Sequence, residues 1–151
     1  MRAIIQRVSE ARVTIAGRVA GEIASGLVIL LGIAAEDTSA DGEWLAQKIA
    51  KLRIFPNDAG QMNRSVHEIA GGVLVISQFT LFASTRKGTR PSFNEAGRPE
   101  IARPLYEHFM AQMEDAMGRP VARGEFGVEG VRRVAPVSRD AYAVQGPPPL
   151  R

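Results

Sequence analysis

The chain has 151 residues and a mass of 16.3 kDa, with 45% apolar and 23% charged side chains, which suits one soluble globular domain around a single core. It has no cysteine and only two histidines, His67 and His108, so disulfides, thiolate metal sites, cysteine nucleophiles and three-histidine metal sites are excluded. The formal charge is +3, and all of the excess falls in residues 119–151, because residues 1–118 carry 13 basic and 13 acidic side chains.

In chain order, Ile4, Val8, Ala11, Val13 and Ile15 alternate loosely and predict a strand over residues 2–15. Gly17 gives a turn, and Val19 to Ile23 a second strand, so the two form a hairpin. Leu27 to Ile33 is continuously apolar, as in a strand buried on both faces. The surrounding apolar run is ten residues long, too short to span a bilayer. No signal segment precedes it, and the cysteine-free composition points to the cytoplasm. Thr38 with Asp41 reads as a helix start, and Leu45, Ile49 and Leu52 place a helix over 40–53 with one buried stripe. Pro56 to Gly60 is a turn. Val73 to Phe82 is a second buried strand, and 83–98 a polar loop of functional length. Ile101, Leu105, Phe109 and Met113 mark a second helix, which starts or bends at Pro104. Val121 to Phe126 is a further strand, and Gly146 to Pro149 lacks a packing pattern.

This order lacks regular βα alternation. It predicts an α+β fold: a single domain of largely antiparallel, barrel-like sheet with two main helices packed on one side. Residues 1–126 form its body, and 127–151 a Gly/Pro/Arg-rich segment of the same domain.

The common catalytic and nucleotide motifs are missing: there is no G-x-S-x-G, no P-loop and no G-x-G-x-x-G. His67 and His108 read as surface or edge histidines, and Trp44 as packing. The unusual feature is Ser77-Gln78-Phe79-Thr80, which interrupts an otherwise apolar strand. Its polar groups either bond neighbouring strands, or the strand stops pairing near Gln78 and turns its amides into a pocket. In the second case two adjacent N–H groups are placed to hold an oxyanion. Thr80 has no base beside it in sequence to activate it as a nucleophile.

Ser77-Gln78-Phe79-Thr80-Leu81 resembles the signature of the D-aminoacyl-tRNA deacylases. Ile5-Gln6-Arg7-Val8, Arg53-Ile54-Phe55, Gly60-Gln61-Met62-Asn63 and Arg90-Pro91-Ser92-Phe93 resemble the same family, in the same order. The resemblance implies hydrolysis of the ester joining a D-amino acid, or glycine mischarged on a non-cognate tRNA, to tRNA. This is a cytoplasmic quality-control step of translation that needs no cofactor. It implies a homodimer with the active site at the subunit interface, and no DNA or membrane partner. Catalytic residues would be Ser77, Gln78, Phe79 and Thr80, with Arg7, Met62, Asn63, Arg90, Pro91 and Ser92 binding substrate. Two schemes stand open: Thr80 as nucleophile, or the RNA's own 2′-OH assisting a water while backbone amides polarise the carbonyl. Arg86, Lys87 and Arg90 offer contacts to the acceptor stem.

The tail departs from the pattern. The family carries Asn-x-Gly-Pro-Val-Thr, whose cis Gly-Pro peptide reaches into the partner's pocket and excludes L-side chains, followed by an apolar closing strand. The nearest stretch here is Val134-Ala135-Pro136-Val137-Ser138, so Ala135 and Pro136 are the candidate chiral gate. Arg139 to Val144 is a poor match to the closing strand. Either the member has diverged, or its C-terminus was altered after about residue 127, as by a reading-frame change. An acceptor-end binding protein impaired in catalysis is the alternative.

Overall fold

A computed structural model describes residues 1–147; Pro148 and Pro149 of the expected unpatterned terminus lie outside the described residues. The organising element is β1 (Arg2–Ile15), a 14-residue strand. It turns through Ala16 and Gly17 into β2 (Arg18–Ile23). Both turn residues have positive φ, +50° and +78°, as a tight two-residue hairpin requires. β3 (Gly26–Gly32) then pairs antiparallel with the first half of β1, while β2 pairs with its second half.

Helix α1 (Ser39–Lys51) opens with Thr38, whose N–H donates to Asp41 Oδ2 at 2.8 Å. The segment expected to be only a turn holds a small ladder, β4 (Phe55–Pro56) with β5 (Met62–Arg64). These strands are too short for a sequence pattern to show.

β6 (Gly72–Ser77) lies parallel to β3. Gly26 and Gly72 meet at the start of this pair so closely that a Cβ on Gly26 would lie 1.9 Å from the Gly72 carbonyl oxygen. The predicted strand to Phe82 ends at Ser77, and Phe79–Phe82 form a 3₁₀ turn instead. Residues 83–98 are a loop, as expected.

Helix α2 (Pro99–Met117) begins five residues before Pro104 and runs through it, forgoing one main-chain bond near its start. Gly118, at φ +71°, ends it and donates its N–H to the Glu114 carbonyl at 2.8 Å. Only Ala122–Arg123 (β7) of the expected strand over 121–126 forms, parallel to β6. Finally β8 (Val131–Gln145) runs antiparallel along nearly the whole free edge of β1. This corrects the expectation that 139–144 is too polar for a closing strand. The ladder passes over the polar pair: Pro136 lies opposite Val8 and Ala141 opposite Gln6, so Arg139 and Asp140, both exposed, sit in an unpaired stretch, and pairing resumes over 141–145.

The α+β class and the barrel-like sheet hold, with both helices on one side. Two pairings are parallel, so the sheet is mixed. β1, β3, β6, β7 and β2 nearly close on themselves; a Cβ on Gly21 of β2 would come within 2.7 Å of the Arg123 oxygen of β7. Among the described residues no helix is long and apolar enough to cross a membrane.

Apolar side chains fill both faces of this sheet. Ala3, Ile5, Leu27, Ile29, Val73 and Val75 face the helices, meeting Leu45, Ile49, Phe109 and Met113. Val8, Val13, Val28, Leu74 and Ile76 fill the barrel side. The register of β1 against β8 shifts around Val8 and Glu10, which lets Val8 and then Ala11, Val13 and Ile15 stay on that side.

Tyr106 of α2 ties the helix layer to the sheet. Its buried hydroxyl lies 2.8 Å from the Gly124 carbonyl and 3.2 Å from that of Val75, as donor. Burial, reinforced by Glu107, pushes its pKa well above the ordinary tyrosine range, against a smaller opposing effect of Arg123. Stability tied to this group is complete below about pH 10 and is lost as pH rises above it, because the unfolded chain ionises first. Tyr106→Phe is expected to cost about 1 kcal/mol at pH 7. It should also flatten the alkaline loss, as urea unfolding at pH 7 and pH 10.5 would measure.

Candidate functional site

The last ladder bond of β6 runs from the Gln78 N–H to the Leu31 carbonyl, 2.8 Å away. Beyond it the chain leaves the sheet, with Gln78 at φ −144° and ψ 85°, and coils into the 3₁₀ turn. The N–H of Leu81 returns to the Gln78 carbonyl, and that of Ala83 to the Thr80 carbonyl. The N–H groups of Phe79 and Thr80 open this turn and make no backbone hydrogen bond among the described residues. Of the two expectations for this stretch, the sheet bonds end at Gln78 and a pair of adjacent amides stands free.

Phe82, buried, pins the far end of the turn. The Arg2 guanidinium lies 4.5 Å from the Phe82 ring centre and donates to the Leu81 carbonyl at 3.1 Å. The start of β1 thus clamps the site-bearing turn to the sheet.

The side chains form a short chain of bonds. Arg132 Nη1 of β8 donates to Gln78 Oε1 at 3.1 Å, and Gln78 Nε2 donates to Thr80 Oγ1. Arginine has only donors, so it fixes the amide with its oxygen toward Arg132 and its nitrogen toward Thr80. Thr80 Oγ1 is then an acceptor here, and its own proton is directed elsewhere. No carboxylate or imidazole bonds to that hydroxyl among the described residues.

The loop 83–98 is anchored twice. Ser84 and Ser92 exchange backbone bonds of 2.7 and 2.9 Å, and the Gly97 N–H reaches the Ile33 carbonyl at 2.8 Å. The first pinch leaves residues 85–91 as a projecting tip that carries Arg90 and Pro91, both exposed, with Ser92 at its base. It also delivers Phe93 to Phe79: the rings meet edge to face, 5.3 Å between centres and 73° between planes. Phe93 was not singled out as a site residue from sequence. The Arg90-Pro91-Ser92-Phe93 match was its signal, but only the pinched loop shows which ring it meets.

The other expected substrate residues lie apart from the turn. Met62 and Asn63 sit on β5, where Arg53 holds Asn63 through its side-chain oxygen at 2.7 Å and its carbonyl at 3.1 Å. Met62 meets the Tyr142 hydroxyl of β8. Arg7 is 8% exposed; it reaches Ser138 Oγ at 3.4 Å and leaves its buried Nε without a partner. Ala135 and Pro136 lie within β8, opposite Glu10 and Val8, joined by a trans peptide. The Ala135 carbonyl accepts from Ser9 Oγ at 3.3 Å.

Two surface hollows lie beside β1 and β8, and neither is lined by Ser77 to Thr80. The nearer, about 210 Å³, is apolar apart from Gln6 and Arg132, with Ile4, Val28, Leu30 and Val134 as walls. Arg132 links it to Gln78. Phe79 and Thr80 are exposed, so within one chain the signature turn lies at the surface. No three His, Asp or Glu side chains gather as a metal site among the described residues.

Comparison with known proteins bears on this geometry. The family model described as D-Tyr-tRNA(Tyr) deacylase matches residues 4–134, ending one residue before Ala135. The D-aminoacyl-tRNA deacylase of Opitutus terrae is 65% identical over 127 residues, covering 84% of this chain and 85% of that one. That of Chloroflexus aurantiacus is 57% identical over 127 residues, covering 84% and 79%. Among solved structures, one described as c-Myc DNA Unwinding Element Binding Protein superposes with a TM-score of 0.91 at 31% identity, over 98% of this chain and 100% of that one. A probable eukaryotic D-amino acid tRNA deacylase shares the fold, with a TM-score of 0.80 at 14% identity, over 95% and 97%. With its signature turn intact and most of its length matched, this chain belongs to the D-aminoacyl-tRNA deacylase family.

Proposed function

We infer that the protein hydrolyses the ester of D-aminoacyl-tRNA, releasing the free D-amino acid and tRNA. The observation that carries this is the pair of free amides at Phe79 and Thr80, on a signature turn shared with the family. Ester hydrolysis builds negative charge on the carbonyl oxygen in its transition state. Two fixed N–H donors stabilise that charge without having to reorganise.

Among the described residues no base bonds to the Thr80 hydroxyl. Gln78 donates to its hydroxyl, and an amide N–H cannot take a proton from it. This supports Thr80 as a donor to substrate over Thr80 as a nucleophile. The attacking water is then assisted by the ribose 2′-OH next to the ester. The same arrangement serves glycyl-tRNA, which has no side chain to exclude.

The open position of the turn supports a homodimer in which a second subunit completes the pocket. Ser77 to Thr80 then line the reacting end, Arg90 to Ser92 flank it, and Arg7, Met62 and Asn63 serve the substrate from around it. Residues 1–126 carry this machinery, and 127–151 the variable tail of the same domain. A cytoplasmic location follows from a tRNA substrate and fits a cysteine-free chain.

One observation favours a second reading, an acceptor-end binding protein impaired in catalysis. The family match stops at Val134, and Ala135-Pro136 is engaged in a ladder with β1. Either a diverged tail or a shifted reading frame accounts for such an ending. Resequencing the gene separates the two, since an unbroken frame with this tail in close relatives leaves only divergence.

Purified protein should release D-tyrosine from D-Tyr-tRNA faster than L-tyrosine from L-Tyr-tRNA. Turnover of both at similar rates would mean that the chiral gate is absent. Binding of tRNA without turnover would select the second reading. Thr80→Val keeps both backbone amides and removes only the hydroxyl's bond to substrate, so it should slow hydrolysis of the D-ester about tenfold, the cost of one ordinary hydrogen bond. A fall to the uncatalysed rate in single-turnover assays would instead make Thr80 the nucleophile. Ala135→Gly should sharpen rejection of the L-ester by removing a methyl from the gate. An unchanged D/L rate ratio would show that Ala135-Pro136 is not the gate.

A further inference from the structure

Phe79 and Phe93 are the least expected surface feature of the molecule. They are 57% and 38% exposed, side by side, although both are large apolar rings. An edge-to-face contact uses one face of one ring and one edge of the other, so the remaining faces stay open. The pair does not hang on a loose loop. The Ser84–Ser92 bonds and the Gly97–Ile33 bond hold the loop on both sides of Phe93.

The charge around this pair is as uneven as its polarity. Loop 83–98 carries Arg86, Lys87, Arg90 and Arg98 against Glu95 alone, a net +3. Residues 1–118 are neutral in total, so the rest of that segment is net −3. Positive charge is thus concentrated on one projecting tip beside two exposed rings.

We propose that Phe93 and the tip residues Arg86, Lys87 and Arg90 form a platform for the single-stranded acceptor end of RNA. The Phe93 ring stacks on a nucleobase, and the three cations hold the adjoining phosphates. An exposed ring beside a basic tip is the combination that holds a single strand, the ring taking a base and the cations its phosphates. The inference rests on the proposed function for its choice of RNA. It gives that function a contact away from the ester: Phe79 stays with the reacting carbonyl, and Phe93, one ring further out, takes a neighbouring base. An acidic peptide would satisfy the cations but has no row of flat faces for the rings.

The test uses a fluorescent RNA tetranucleotide ending in CCA and carrying no amino acid, with binding read by anisotropy. Phe93→Ala should weaken binding about tenfold, within the range for one stacked base. Phe93→Trp should restore it. Phe93→Leu, apolar but without a π face, should not. In Lys87→Ala and Arg90→Ala the slope of log K against log salt should shrink by about 0.7 per lost phosphate contact. Unchanged affinity in both Phe93→Ala and Phe93→Leu overturns the proposal, as does an unchanged salt slope. If Phe93→Ala alters self-association by sedimentation and leaves tetranucleotide affinity intact, a second copy covers the rings and the proposal is wrong. Because the probe has no ester, absent D-ester hydrolysis with intact Phe93-dependent binding would sink the hydrolase reading and spare the platform.

Discussion

Nearly everything in this molecule depends on one strand having two usable edges along its whole length. β1 gives one edge to β3 and β2 in succession, and the other to β8. Sharing an edge between two strands forces the sheet to curl, and the irregularity near Val8 and Glu10 keeps the right side chains inside the curl. The curl brings β7 against β2 and leaves β3 beside β6, with the helices on the outer face. β6 then ends at the sheet rim, and the turn that follows has nothing left to pair with. The free amides are a consequence of the topology. Arg2, at the start of the same strand, holds that turn in place.

The parts legible in the sequence are those whose information is local. The hairpin at Ala16-Gly17, the apolar run of β3 and the helix stripe of α1 each announce themselves in a few residues. The end of β6 was not legible in this way. Polar Ser77, Gln78 and Thr80 mark the point where the ladder stops, but they fit a strand bonded to its neighbours as well as one that ends, because Leu81 and Phe82 still pack inward after the backbone has left the sheet. Periodicity records burial and does not record pairing. β7 illustrates the reverse: six residues looked like a strand, and two pair, the contact with β6 ending at the Gly124 N–H on the Val75 carbonyl while Tyr106 takes the Gly124 carbonyl. Phe93 shows a third limit. Its meeting with Phe79 depends on a pinch between Ser84 and Ser92 that two serines alone do not advertise.

The electrostatics change in meaning between the linear and the folded chain. The net +3 sits entirely in residues 119–151, far from the signature along the chain, and of its cations Arg132 is the one that bonds to the signature turn, at Gln78. The charge that counts is hidden in a neutral segment, where the cations of loop 83–98 are cancelled on paper by acids elsewhere. At physiological salt, fields fade over about 8 Å, so a phosphate meets the local tip and not the sum.

The closing strand has a consequence for how such a protein is judged. β8 is held by main-chain bonds to β1, and most of its side chains face water. Those bonds are blind to side-chain identity, so the strand constrains its sequence mainly where Val134, Tyr142 and Val144 pack inward. Tolerance of that kind separates two properties that are usually lost together. A tail of different sequence can keep the same ladder to β1 while presenting different side chains at its surface. Heat-stability or expression screens would pass it, and only an assay that compares the two enantiomers would notice.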